Sequence, residues 1–160
     1  MAAIKKRGQQ TLMFSDPPYI TSWASMAGPK EGEGPWAAEF DQILPDYLIG
    51  EASWEKAESK MLRETVKLAL SKQGLKPEDA ELLVAGDLLN QIISSTYAAR
   101  EIRVPFLGLY GACSTMAESL LVGAMMVDGG FYERVVAATS SHHYTAERQF
   151  RSPTEQGVQR

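Results

Sequence analysis

Between Ser53 and Lys72 the apolar residues Trp54, Ala57, Met61, Leu62, Leu68 and Ala69 recur at helical spacing among charged ones, which predicts a helix with one buried face. Ser53 stands in the N-cap position with Glu55 behind it, and Lys72, Gly74 and Pro77 supply a last-turn cation, a left-handed stop and a breaker. The period then changes. Leu82-Leu83-Val84-Ala85-Gly86-Asp87 is a continuous apolar run too short for a helix and reads as a strand covered on both faces. A helix over Gln91 to Arg100, a strand over Val104 to Leu109, a helix over Ser114 to Val127 and a strand over Arg134 to Thr139 follow. Alternation of this kind predicts an α/β domain with right-handed crossovers, a mostly parallel sheet and helices on its faces.

Ligands of such sheets collect at the carboxyl ends of the strands, and that rule selects Asp87-Leu88-Leu89-Asn90, Gly111-Ala112-Cys113-Ser114 and Ser140-Ser141-His142-His143 together. Cys113, the single cysteine, stands where a strand passes through a glycine into a helix. The N–H groups and positive end of a helix favour an anion there, so this position pushes a thiol toward the nucleophilic thiolate. A lone cysteine among apolar residues also fits a small buried hydrophobe. Asp87 fits either a ligand contact or a cap on the helix beginning near Asn90, and Ser140 and Ser141 fit either ligand or local backbone hydrogen bonds. His142 and His143 are neighbours, so in extended backbone they face opposite ways and do not form one metal site. Lys60 and Glu64 read as a solvated pair on one helix face.

Two features complicate a simple half-sandwich. The Ser114–Val127 helix carries Ala117, Leu120, Leu121, Val122, Ala124, Met125, Met126 and Val127, leaving almost no polar face. Such a helix has to be wrapped on all sides, which predicts packing against another sheet or another copy of the chain. Residues 15 to 36 are dense in Pro, Gly and Ser without helical or strand period, so a long loop is predicted there, either lying over a site or a partner surface with Tyr19, Trp23 and Trp36 packed or forming a loose excursion. Phe40 to Gly50 reads as a second irregular connection.

With 160 residues and 44% hydrophobic content, the chain suits one domain. One cysteine excludes an internal disulfide framework, and Met1 to Thr11 lacks the pattern of a signal peptide, which points to a reducing compartment. The apolar run Met116 to Val127 contains Glu118 and falls short of the roughly 20 residues that a bilayer helix needs. A net charge of −4 with scattered Lys and Arg gives no footprint for nucleic acid.

The turn Gly111-Ala112-Cys113-Ser114-Thr115 into an apolar helix resembles the active-site turn of the thiolase-like superfamily, which includes ketoacyl synthases. A narrower resemblance rests on the stretches Glu51 to Met61, Ala85 to Gln91, Tyr110 to Met116, and Ala138 to Tyr144 with Glu147 to Arg151. In that order they resemble the stage V sporulation protein AD family of spore-forming bacteria. The tail from Phe150 to Gly157 departs from the family pattern of aromatics at positions 152 and 156.

The resemblance implies a thiolase-like fold, one half of a five-layered αβαβα arrangement with a buried central helix, of which residues 1 to 160 match the N-terminal half. It implies a non-catalytic protein that binds dipicolinic acid and supports its uptake into the developing spore, with calcium accompanying the ligand and no other cofactor or metal site. It implies a peripheral place on the cytoplasmic side of the forespore or spore inner membrane, beside other stage V sporulation A proteins, and pairing with a second half-domain or a second copy. Cys113 matches the superfamily nucleophile position. The His and the Asn or second His that complete catalysis there belong to the second half, so no catalytic partner for Cys113 is assigned, and neither His142 nor His143 takes that role. Asp87, Cys113, Ser114, Ser140 and His142 are the expected ligand-binding residues. The alternatives are a residual acyltransferase acting through Cys113 and an inactive scaffold fragment.

Overall fold

A computed structural model of the chain describes residues 5–150. The tail beyond Phe150, including positions 152 and 156, lies outside the described residues. A hairpin of β1 (Lys6–Arg7) and β2 (Thr11–Leu12) comes first, and β3 (Met26–Ala27) then pairs in parallel with β4 (Gln42–Ile43). The main body runs α1 (Trp54–Ser71), β5 (Leu82–Asp87), α2 (Ile93–Ile102), β6 (Phe106–Gly108), α3 (Thr115–Asp128), β7 (Val135–Ser140) and α4 (His143–Phe150). The last three-stranded sheet is parallel throughout, in the order β6-β5-β7.

Local chemistry sets the element ends. The Ser53 hydroxyl accepts the Lys56 N–H at 3.3 Å, and Gly74 takes the left-handed conformation at φ +69° just beyond α1. Strand β6 is shorter than the predicted Val104–Leu109 because Pro105 has no N–H for the ladder; its carbonyl still accepts from Leu83 N at 2.8 Å. Helix α2 starts two residues later than expected, after a left-handed Ile92 at φ +46°.

Helices α1 and α2 lie together on one face of the sheet. Leu62, Val66 and Leu70 from α1 and Ala98, Ala99 and Ile102 from α2 close on Leu83, Ala85 and Ala138 as one buried cluster. Helix α3 covers the opposite face. There Gly86 brings β5 so close to its neighbours that an added Cβ would collide with the Leu109 carbonyl oxygen and Thr115 Cγ2. Among the described residues the sheet covers α3 on one side only. The helix buries Thr115, Ser119 and Gly123, spaced four apart on a narrow stripe, and turns Met116, Leu120, Leu121 and Met125 outward. Small residues face the sheet because a close approach leaves no room for larger ones; at Gly123 an added Cβ would lie 3.2 Å from Val135 Cγ1.

The long loop also differs from expectation. Its backbone is anchored to the carboxyl end of α1: Ser22 Oγ donates to Ala69 O at 2.6 Å, Gln73 Nε2 to Thr21 O and Lys72 Nζ to Trp23 O, both at 2.8 Å. The aromatic side chains are not packed. Tyr19 is 87% exposed, Trp23 72% and Trp36 68%. Residues 21–23 lie at the end of α1 remote from the strand tips. The Lys60–Glu64 pair does not form either: Lys60 Nζ donates to Ile49 O at 2.8 Å beside Glu51, while Glu64 pairs with Arg63 and Lys67. No helix among the described residues is long and apolar enough to cross a membrane.

Candidate functional site

The parallel register places Asp87 opposite Ser140 at the tips of β5 and β7, and the Gly111–Ser114 turn leads from β6 into α3 at the same sheet edge. The three expected polar tips therefore meet. Their side chains divide between the two faces, because neighbouring strand residues alternate. Gly86 looks toward Thr115 of α3, so Asp87 and its register partner Ser140 look the other way, toward α1 and α2.

Asp87 is fully buried, and both of its oxygens are taken. Oδ1 accepts from Leu89 N at 2.9 Å, and Oδ2 accepts from Ser95 N at 2.9 Å and Ser95 Oγ at 2.8 Å. Of the two roles left open by the sequence, the structure displays the cap: Asp87 satisfies the Ser95 N–H in the first turn of α2, and through Leu89 N it turns the chain leaving β5.

The Cys113 turn is different in character. A short 3-10 segment, Ala112–Ser114, precedes α3, with Ala112 in the left-handed region at φ +50° and Cys113 exposed. An alanine in that region carries steric strain of about 1–2 kcal/mol. A Cβ at Gly111 would press on Ser114 Oγ and the Glu118 carboxylate, side-chain ends that would have to swing aside. Thr115 Oγ1 accepts from Gly111 N at 3.1 Å, Ser114 N donates to Gly111 O at 3.0 Å, and Thr115 N donates to Ala112 O. The backbone N–H groups of Ser114 and Thr115 are thus used internally. The N–H groups of Ala112 and Cys113 are those that such a turn does not pair with itself. The Ser114 hydroxyl, also exposed, bridges Gly111 O and Glu118 Oε1, so a ligand reaching it has to displace one of these contacts.

At the third tip Ser140 Oγ donates to Glu58 Oε1 at 2.9 Å. His143 opens α4 rather than continuing extended backbone, which corrects the geometry expected for the histidine pair. His142 Nε2 lies 2.9 Å from Tyr47 O, and its Nδ1 is buried without a hydrogen-bond partner. Tyr144 stacks on Trp54 at 4.9 Å and meets Tyr47 edge-on at 5.5 Å, fastening α4 to the start of α1 and to the second irregular connection. Among the described residues, no three His, Cys, Asp or Glu side chains group as a metal site.

Glu58 is the residue that sequence reasoning missed. It sits on the buried face of α1, 1% exposed, with Oε2 accepting from Thr145 Oγ1 at 3.0 Å. Burial pushes its carboxyl above the ordinary carboxylate range, and the hydroxyls of Ser140 and Thr145 offset part of that push. Ser94 Oγ lies near enough to favour the charged form but makes no hydrogen bond of normal geometry. The available signal was its position one residue after Ala57, on the apolar stripe rather than the charged face.

A separate groove of about 590 Å³ lies between α1 and residues 42–49, lined by Leu44, Pro45, Ile49, Met61, Lys67 and Leu68 among others. It does not include the strand tips.

The family model for stage V sporulation protein AD matches residues 8–160. The chain belongs to the stage V sporulation protein AD family. A curated relative, stage V sporulation protein AD of Bacillus subtilis (strain 168), is 46% identical over 157 residues, covering 98% of this chain and 46% of the relative. The chain thus spans less than half the length of that relative. Family membership accounts for the sporulation context that the four sequence stretches implied.

Proposed function

We propose that the chain carries the N-terminal, thiolase-like half of a sporulation protein that binds dipicolinic acid and supports its uptake into the spore. The observation that carries this reading is the exposed Cys113 turn at the convergence of three parallel strand tips. A planar dianionic pyridine wants a slot with N–H donors and no uncompensated acid. The turn offers the Ala112 and Cys113 N–H groups at the positive end of α3. Asp87 does not oppose the ligand as a free acid, because its oxygens are buried and hydrogen-bonded. In this account Cys113 and Ser114 contact the ligand, His142 borders it, and Asp87 and Ser140 hold the tips from within.

The outward residues Leu120, Leu121 and Met125 support a thiolase-like arrangement in which a second α/β half covers α3. Pairing through that face with a second copy is the competing arrangement. Calcium would accompany the ligand rather than occupy a protein site, and docking on stage V sporulation A proteins at the spore inner membrane is the cellular setting.

Calorimetric titration of dipicolinate into the folded chain, with and without calcium, tests the ligand. Saturable binding weakened at least about tenfold in Cys113→Ala and Ser114→Ala is expected, equivalent to loss of about one hydrogen bond to a charged group. A folded chain that takes up no dipicolinate, or variants that bind as the parent does, would overturn it. The exposure of Cys113 favours one second reading, acylation by a thioester. An adduct in the intact mass after incubation with acyl-coenzyme A, absent in Cys113→Ser, would establish that chemistry instead.

A further inference from the structure

We propose that Glu58 is a positioning residue for the strand-tip site, a buried clamp whose protonation sets how the Ser140–Thr145 segment is held; this rests on the ligand reading above. Glu58 joins three parts of the tip. From α1 its two oxygens take hydroxyls from the end of β7 (Ser140) and from α4 (Thr145), while Thr145 Oγ1 also reaches His142 O at 2.8 Å. The peptide between these anchors contains His142, so the clamp fixes where that ring stands.

The surroundings make the clamp responsive to a proton. Among the described residues no cation pairs with Glu58. On its own helix, Lys60 is turned to Ile49 and Glu51, Arg63 to Glu64 and Glu101, and Lys67 to Glu64. From β5 it faces the Asp87 carboxylate, a like charge, and from α2 the Ser94 hydroxyl. From β7 and α4 come Ser140 and Thr145, and His142 is engaged with Tyr47 O. Two buried carboxylates with hydroxyls and no cation favour the neutral form of one of them. The oxygens of Asp87 are already taken by Leu89 N, Ser95 N and Ser95 Oγ, while burial raises the Glu58 carboxyl. Ionisation of Glu58 would place a second negative charge beneath the tip, beside Asp87.

The test compares the full chain with Glu58→Gln and Glu58→Ala across the pH range in which carboxylic acids with raised values titrate. Dipicolinate affinity of the parent should fall roughly tenfold as pH rises through that range, from a new charge near a dianion. Glu58→Gln, permanently neutral, should keep the low-pH affinity and lose the fall, and Glu58→Ala should bind more weakly at every pH. A Glu58→Gln profile that follows the parent's, or a folded Glu58→Ala that binds equally well, would overturn the proposal.

If the parent binds no dipicolinate, the ligand reading fails and amide exchange decides the clamp separately. Protection of residues 140–146, including the Ala146 N–H bonded to His142 O, should then decline with pH in the parent relative to Glu58→Gln measured at the same pH. An unchanging ratio would overturn the positioning role itself.

Discussion

The two faces of the β6-β5-β7 sheet are built on opposite rules. Against α1 and α2, large side chains turn inward: Leu62, Val66, Leu83 and Ile102 are buried, and even the acids on that side, Glu58 and Asp87, are closed off and hydrogen-bonded. Against α3, small residues turn inward and large ones outward. Thr115, Ser119 and Gly123 touch the sheet, while Leu121 and Met125 stand 47% and 46% exposed. The first face is finished within this chain. The second keeps its apolar surface on the far side of the helix, and the only exposed thiol stands at the head of that same helix. The contrast shows that the hydrophobicity of a helix does not tell which of its sides meets its own sheet.

Truncating the closed face should cost most. Leu62→Ala removes a side chain 2% exposed and should destabilise the chain by about 3 kcal/mol in urea unfolding. A loss below about 1 kcal/mol would mean that this face is less closed than described. Gly86→Ala probes the close approach on the α3 side, where the opposing atom is a backbone carbonyl that cannot swing away. We expect a loss of about 2 kcal/mol, whereas an unchanged midpoint would show that α3 and the Leu109 segment sit farther from β5.

Acid buried on the closed face has a signature in pH. Because burial raises the folded-state value of Glu58 above its unfolded one, its contribution to stability is present at low pH and declines as pH rises through the raised value. Stability measured against pH should therefore fall more steeply over that interval in the parent than in Glu58→Gln. Parallel curves would place the Glu58 carboxyl in water. The smallest effect belongs to the open face: Leu121→Ala should shift unfolding of this chain by less than about 0.5 kcal/mol. A loss comparable to that of Leu62→Ala would mean that a second copy already covers α3 in solution.

The regular elements were legible because each carried a local signal. Ser53 capped, Gly74 stopped, and the all-apolar run at Leu82–Gly86 announced a doubly covered strand. The tips were legible as positions, since the parallel topology brings Asp87, the Cys113 turn and Ser140 to one edge. Their orientations were not, because which face a strand residue takes depends on which helix packs where. Helix α4 was hidden because His142-His143-Tyr144 has little helical character on its own; stacking of Tyr144 on Trp54 and the Thr145–Glu58 bond hold it. The exposed aromatics of the long loop escaped prediction for a similar reason: polar contacts of the backbone with Lys72 and Gln73 fix the segment without burying Tyr19 or Trp23.

The most direct test of the whole account is an amide NMR titration of the isotopically labelled chain with dipicolinate. The account predicts saturable shifts of the Gly111–Thr115 and Ser140–His142 amides, with residues of the groove between α1 and 42–49 unmoved. Shifts confined to that groove, or none at all, would contradict a ligand site at the strand tips.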